Sequence, residues 1–260
     1  TGLISDEAKD RAKVILHEYK AICDEFKVEK ILVAGTSALR DAKNSDDVCK
    51  EFNEILGTDI KIIKGELEAA LSFVGSVTSN KSSMVIDIGG GSTEIITGKS
   101  KVIQNVISLQ QGAVRLSENL FKRMHPPPHS VIEASKSLII NDIVKCDFSA
   151  EFEKVYAVAG TATTLATTAM GLADNQVETV NGFILKKQDL LRIFDLYQSL
   201  SIHDIINKLR VHPKRADLIL AGALIMNTIV EHFGISEIII SSHGLRYGII
   251  IDYFNNPSNW

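Results

Sequence analysis

The stretch MVIDIGGGSTEIITG, residues 84–98, sets three consecutive glycines between two strand-like apolar runs. So short a separation lets the runs pair as an antiparallel hairpin, and the glycines let something approach the backbone closely. Without Cβ atoms, successive N–H groups can converge on phosphate oxygens, and Ser92 and Thr93 add hydroxyl donors. Asp87 and Glu94 flank the turn with carboxylates, and Asp87, at a strand end, suits a metal held directly or through water. A glycine run alone also fits a plain hairpin turn. It is not a Walker-type loop, since no Gly-Lys-Ser/Thr follows, nor a dinucleotide fingerprint, since a strand rather than a helix comes next.

The surrounding text alternates strands with helices, which indicates an α/β layer. Ser5 reads as an N-cap with Asp6 and Glu7 in the first turn, and Ala8, Ala12, Ile15, Tyr19, Ile22 and Phe26 then form one apolar face that needs a sheet to cover. Residues 29–35 and 58–65 read as strands with a short helix over Asp46–Leu56 between them. After the hairpin a third strand extends the meander, and helices dominate residues 112–145 with a break at Pro126–Pro128. Residues 155–171 and 237–254 are two further strand-turn-helix units, and 218–233 is apolar nearly all round, as a buried helix must be. Three strand-to-glycine-turn junctions suggest one cleft fed from several directions.

At 260 residues the chain can hold two modest domains. A net charge of −4 gives no general attraction to nucleic acid or anionic membrane, so an anionic ligand needs a local cluster of amides and arginines. No apolar run reaches the roughly 18 residues of a membrane span. Cys23, Cys49 and Cys146 lie far apart, which suits a reducing compartment, and the expectation is a soluble cytoplasmic protein. The chain opens on Thr1 and enters a helix almost at once, so it is expected to be a piece of a longer protein.

The second junction, with Gly160 and Thr161 at a helix start, fits an ordinary capped N-terminus or an anion held by the same amides. Arg40 and Arg215 stand near helix starts and suit bidentate phosphate contact, although surface ion pairs explain most such arginines. Glu66 and Glu68 open a helix two positions apart, so they point nearly opposite ways and at most one faces a cleft. For a lone helical glutamate a solvated face is the commoner role.

In order, GTSALRDAKN, IIKGELEA, VIDIGGGSTE, AGTATTLA, KRADLILAGALI and SSHGLRYGI resemble the exopolyphosphatase and guanosine pentaphosphate phosphatase family, Ppx/GppA, of the acetate kinase, sugar kinase, Hsp70 and actin superfamily. The resemblance implies two ribonuclease-H-like lobes around a cleft. Residues 1–71 would form the first, without its N-terminal strands, and 72–260 the second, the last helix packing back on the first. It implies hydrolysis of terminal phosphoanhydrides of inorganic polyphosphate or guanosine pentaphosphate with Mg²⁺. By the same match Glu68 is the catalytic base, and Asp87 and Glu94 serve the metal and the attacking water. Gly89, Gly90, Gly91 and Ser92 form the second phosphate loop, and Arg40 and Arg215 face the phosphate chain. Leu67 departs from the acidic residue usual beside Glu68, and the family's first phosphate loop has no counterpart in the chain. A superfamily kinase, a non-catalytic sensor of guanosine tetra- or pentaphosphate and an actin-type interaction module are the alternatives. No nucleic acid or membrane partner is expected, and a homodimer is left open.

Overall fold

Ser5 starts the first helix as its sequence suggests, its hydroxyl accepting the Ala8 amide at 3.3 Å ahead of Asp6 and Glu7. In this computed structural model, which describes residues 2–146, 148 and 151–260, the chain forms two compact units. One runs to Leu71 and takes in Ile249–Trp260; the other is Ser72–Gly248.

The first unit contains α1 (Asp6–Glu25), β1 (Val33–Gly35), α2 (Ser37–Asp41), α3 (Ser45–Leu56) and β2 (Ile60–Ile62), and then the start of α4 (Gly65–Ser76). β1 and β2 are parallel, with Val33 opposite Ile60. Both strands are shorter than their apolar runs, because each has only the other as a ladder partner. α3 buries Val48, Phe52 and Leu56 and ends where Gly57 turns left-handed, at φ 67°. The apolar face of α1 departs from expectation. It contains no buried residue, and Tyr19 and Phe26 are 60% and 74% exposed, since a two-stranded sheet offers little to cover it.

In the second unit β3 (Ser83–Ile88), β4 (Thr93–Lys99) and β5 (Val102–Leu109) form the expected antiparallel meander. Then come α5 (Ala113–Asn119), α6 (His129–Lys145), β6 (Lys154–Val158), α7 (Ala159–Met170), β7 (Ile184–Lys186), α8 (Lys187–Ser199), α9 (Ile202–Asn207) and α10 (Pro213–Ala216). The buried helix α11 (Ile219–His232), β8 (Glu237–Ile240) and α12 (Leu245–Asn255) complete it, and α12 runs on into the first unit. The six strands lie in the order β5-β4-β3-β6-β8-β7, with β3, β6 and β8 parallel and the outer strands antiparallel.

Met84, Val85 and Ile86 of β3 are fully buried on both faces of the sheet, as a central strand requires. Each such side chain contributes about 1.5–3 kcal/mol by leaving water. Every residue of α11 from Ile219 to Val230 is buried, and a Cβ on its Gly222 would come within 2.7 Å of the Thr161 side chain, so α7 and α11 pack at close range. Because β3, β6 and β8 run the same way, the segments that leave their C-terminal ends emerge at one end of the sheet.

Candidate functional site

The glycine turn after β3 is held from below. The Gly89 amide donates to the Ser92 carbonyl at 3.0 Å, while the Gly89 and Gly90 carbonyls accept the Ala113 and Arg115 amides of α5 at 2.9 and 3.0 Å. The Gly90, Gly91 and Ser92 amides take no part in those bonds, and Gly90 and Gly91 are exposed. Gly112 explains how α5 comes so near: a Cβ there would lie 2.5 Å from the Gly90 carbonyl. The loop is thus a braced turn presenting N–H groups, the arrangement that binds anions. Thr93 does not join it. Its side chain is fully buried and its hydroxyl donates to the Gln111 carbonyl at 2.6 Å, so the expected hydroxyl donor is already spent.

Asp87 and Glu94 are directly opposite across β3 and β4, hence on one face of the sheet. Ser72 of α4 donates to Asp87 Oδ2 at 3.1 Å, and Ser108, opposite Glu94 on β5, donates to Glu94 Oε1 at 2.8 Å. Two like charges so disposed repel unless a cation lies near them. Among the described residues no group of three or more His, Cys, Asp and Glu side chains forms a metal site. A pair of hard oxygen donors nevertheless fits Mg²⁺, which is commonly bound by one or two carboxylates together with waters and substrate phosphates.

At the second junction, Ala159 has φ 65°, unusual for a residue with a Cβ, and Gly160 follows with no side chain. The Arg215 guanidinium rests there, 3.3 Å from where a Cβ on Gly160 would be. One nitrogen of Arg215 donates to Thr164 Oγ1 at 3.1 Å and to Asp174 Oδ1 at 3.2 Å. Asp174 is 6% exposed and also accepts from the Thr164 hydroxyl and the His212 amide, so this buried carboxylate is matched by three donors. Nearby, burial drives the Tyr197 phenol well above its ordinary pKa, which keeps it neutral as it bonds the Thr168 hydroxyl at 2.6 Å. Thr161 is nearly buried against Gly222, so its side chain serves helix packing.

A recess beside this junction is lined by Asp87, Gly160, Arg215 and the segment after β8 that includes His243 and Arg246. Asp174 and Arg246 were not foreseen, nor was Arg115, whose guanidinium lies 3.6 Å from a notional Cβ on Gly91. In the first unit, Arg40 of α2 donates from one nitrogen to the Ile63 carbonyl at 2.7 Å and to Glu68 Oε2 at 3.2 Å, while Glu66 is exposed. Of the two glutamates, Glu68 is the one bonded to Arg40.

The profile of the Ppx/GppA phosphatase family matches residues 1–256. The chain belongs to that family. It is 30% identical over 271 residues to the bifunctional 3-dehydroquinate synthase/phosphatase of Fusobacterium nucleatum, covering 97% of the chain and 39% of that relative. It is 27% identical over 267 residues to exopolyphosphatase 2 of Mycobacterium tuberculosis, covering 96% and 83%. With the guanosine-5'-triphosphate,3'-diphosphate pyrophosphatase of Photobacterium profundum it shares 26% over 255 residues, covering 96% and 50%. Two of these relatives are therefore much longer than the part the chain spans. Among solved structures, the Ppx/GppA family member of Aquifex aeolicus superposes with a TM-score of 0.85 at 28% identity, covering 99% of the chain and 84% of that protein. This family fold is α/β with mixed sheets, as expected. Among the described residues no helix is long and apolar enough to cross a membrane.

Proposed function

We propose that this Ppx/GppA family chain hydrolyses the terminal phosphoanhydride of inorganic polyphosphate or guanosine pentaphosphate. The observation that carries the reading is the meeting, at one end of one sheet, of a braced glycine turn with spare amides, the Asp87–Glu94 pair and an arginine laid on Gly160. Each element suits phosphate rather than a neutral ligand.

In this mechanism Glu68 orients a water and takes its proton as the oxygen attacks the terminal phosphorus in line with the leaving oxygen. Arg40 keeps the Glu68 carboxylate in one orientation. The Gly90, Gly91 and Ser92 amides hold oxygens of the transferring group, where negative charge shifts during reaction. Arg215 takes an oxygen of the leaving chain. Asp87 and Glu94 would hold Mg²⁺, which when bound neutralises charge on the transferring group.

The test is phosphate release from long-chain polyphosphate and from guanosine pentaphosphate with Mg²⁺, by the chain and its Glu68→Gln variant. The reading expects release by the former and a loss of about 100-fold or more in the variant, with substrate binding kept. Near-normal turnover in a folded Glu68→Gln protein would reject the base; binding without release by the unmodified chain would indicate a sensor instead.

A further inference from the structure

The recess beside Gly160 has a volume of about 280 Å³ and is walled by Asp87 at the end of β3, Val158–Thr163 where β6 passes into α7, and Ser242–Arg246 after β8, together with Val177 and Arg215. Two arginines line it, and they differ in one respect. Arg215 is matched by the buried Asp174 carboxylate, which fixes its position and offsets its charge. Arg246 is exposed, and no hydrogen bond or ion pair engages it among the described residues.

The segment carrying Arg246 is nonetheless held in place. The Ser242 hydroxyl donates to Glu178 at 3.1 Å, the Ser242 amide donates to Asn181 Oδ1 at 3.2 Å, and the His243 ring stacks on Tyr247 with centroids 3.6 Å apart. A fixed backbone presenting a guanidinium with no hydrogen bond or ion pair among the described residues to a recess that holds Arg215 as well as the Asp87 carboxylate is suited to a ligand with repeated negative charge. A phosphoanhydride chain has that character, each phosphate presenting oxygens to a planar fork of N–H donors.

We infer that Arg246 is a second phosphate-binding arginine, acting with Arg215 on the phosphates behind the one that is removed. The assignment rests on the phosphohydrolase reading for which phosphate is terminal, but the binding itself does not depend on turnover.

The experiment is calorimetric titration of the chain, Arg246→Ala and Arg246→Lys with tripolyphosphate, alongside melting temperatures and the kinetics of phosphate release. Arg246→Ala should bind about 10-fold more weakly with an unchanged melting temperature, the lysine variant should recover part of that loss, and KM should rise while kcat stays within about threefold. Unchanged affinity in Arg246→Ala, no binding by the unmodified chain, or a loss of affinity matched by a loss of melting temperature would overturn the assignment. Binding that weakens as expected in a chain that releases no phosphate would uphold this arginine and reject the hydrolase. Normal release with unaltered KM in Arg246→Ala would do the reverse.

Discussion

Arg40 Nη1 lies 3.2 Å from Glu68 Oε2 and 2.7 Å from the Ile63 carbonyl, so one guanidinium nitrogen ties the segment after β2 to the first turn of α4. With that contact removed, the Glu68 carboxylate has more rotamers to sample. Arg40→Ala is expected to lower phosphate release about 10-fold or more, mainly through kcat if the contact orients the base. An effect confined to KM would assign Arg40 to substrate contact alone.

Arg215 and Arg246 should separate by stability. Arg215→Ala leaves the Asp174 carboxylate buried with one donor fewer, a cost of about 1–3 kcal/mol after allowing for the partial exposure of the arginine. Urea denaturation should show this loss in Arg215→Ala and none in Arg246→Ala. Equal stability of the two would mean that Asp174 is satisfied without the arginine.

Gly112→Ala puts a methyl 2.5 Å from the Gly90 carbonyl carbon and oxygen and 2.6 Å from the Gly91 nitrogen, so either the turn or α5 must move. Tripolyphosphate binding is expected to fall at least several-fold. Gly171→Ala is the control: its φ of 68° costs about 1–2 kcal/mol for a residue with a Cβ, but nothing lies within 4 Å to be displaced. Binding that survives in Gly112→Ala would show that the loop amides are not the anion site.

Asn227, in the middle of α11, is 7% exposed with neither amide atom hydrogen-bonded among the described residues, and the Thr97 hydroxyl is likewise buried and unpaired among them. Asn227→Leu and Thr97→Val should each stabilise the fold, by about 1–3 and 0.5–1 kcal/mol. Denaturant midpoints lower than the parent protein's would argue for ordered water at these positions.

Acid should weaken the protein in a definite window. Burial pushes the Asp252 carboxyl upward, yet hydrogen bonds from Trp260, Asn256 and Asn259 together hold it below its ordinary value of 3.8. Hydrogen bonds from Lys9 and Lys13 lower Asp6 and Glu51 in the same sense. A carboxyl whose folded pKa is depressed stabilises the fold above its unfolded pKa and loses that contribution as pH falls through the folded one. Melting temperatures should therefore be nearly level from pH 7 to 5 and fall below about pH 4.5, and Trp260→Phe should flatten part of that fall. An unchanged acid profile in Trp260→Phe would remove Asp252 from the account.

The parts legible in the sequence are those written in local patterns. The meander follows from β-branched runs separated by glycine or a short polar turn, and α11 from an apolar stretch too long for a strand. Strand lengths in the first unit were not legible, because they depend on how many partners the sheet supplies. Thr93 and Gln111 show why a hydroxyl cannot be assigned from its own neighbourhood: its acceptor comes from 18 residues away. Asp174 lies in an unremarkable loop and acquires its role only by meeting Thr164, Arg215 and the His212 amide. Arg246 stood inside a quoted motif, but its distinction is the lack of a hydrogen-bond or ion-pair partner among the described residues, which only three dimensions reveal.

The parallel run of β3, β6 and β8 also bears on how the site comes into being. Asp87, Val158 and Ser241 mark the ends of neighbouring strands, yet they are scattered over more than half the chain. A ribosome adding about 5–20 residues per second would expose β3 roughly 8–30 s before β8 could join the sheet. Until then the growing chain has the glycine hairpin without the walls that flank it. The recess beside Gly160 is consequently among the last things the second unit acquires during synthesis, because its wall waits for the segment after β8.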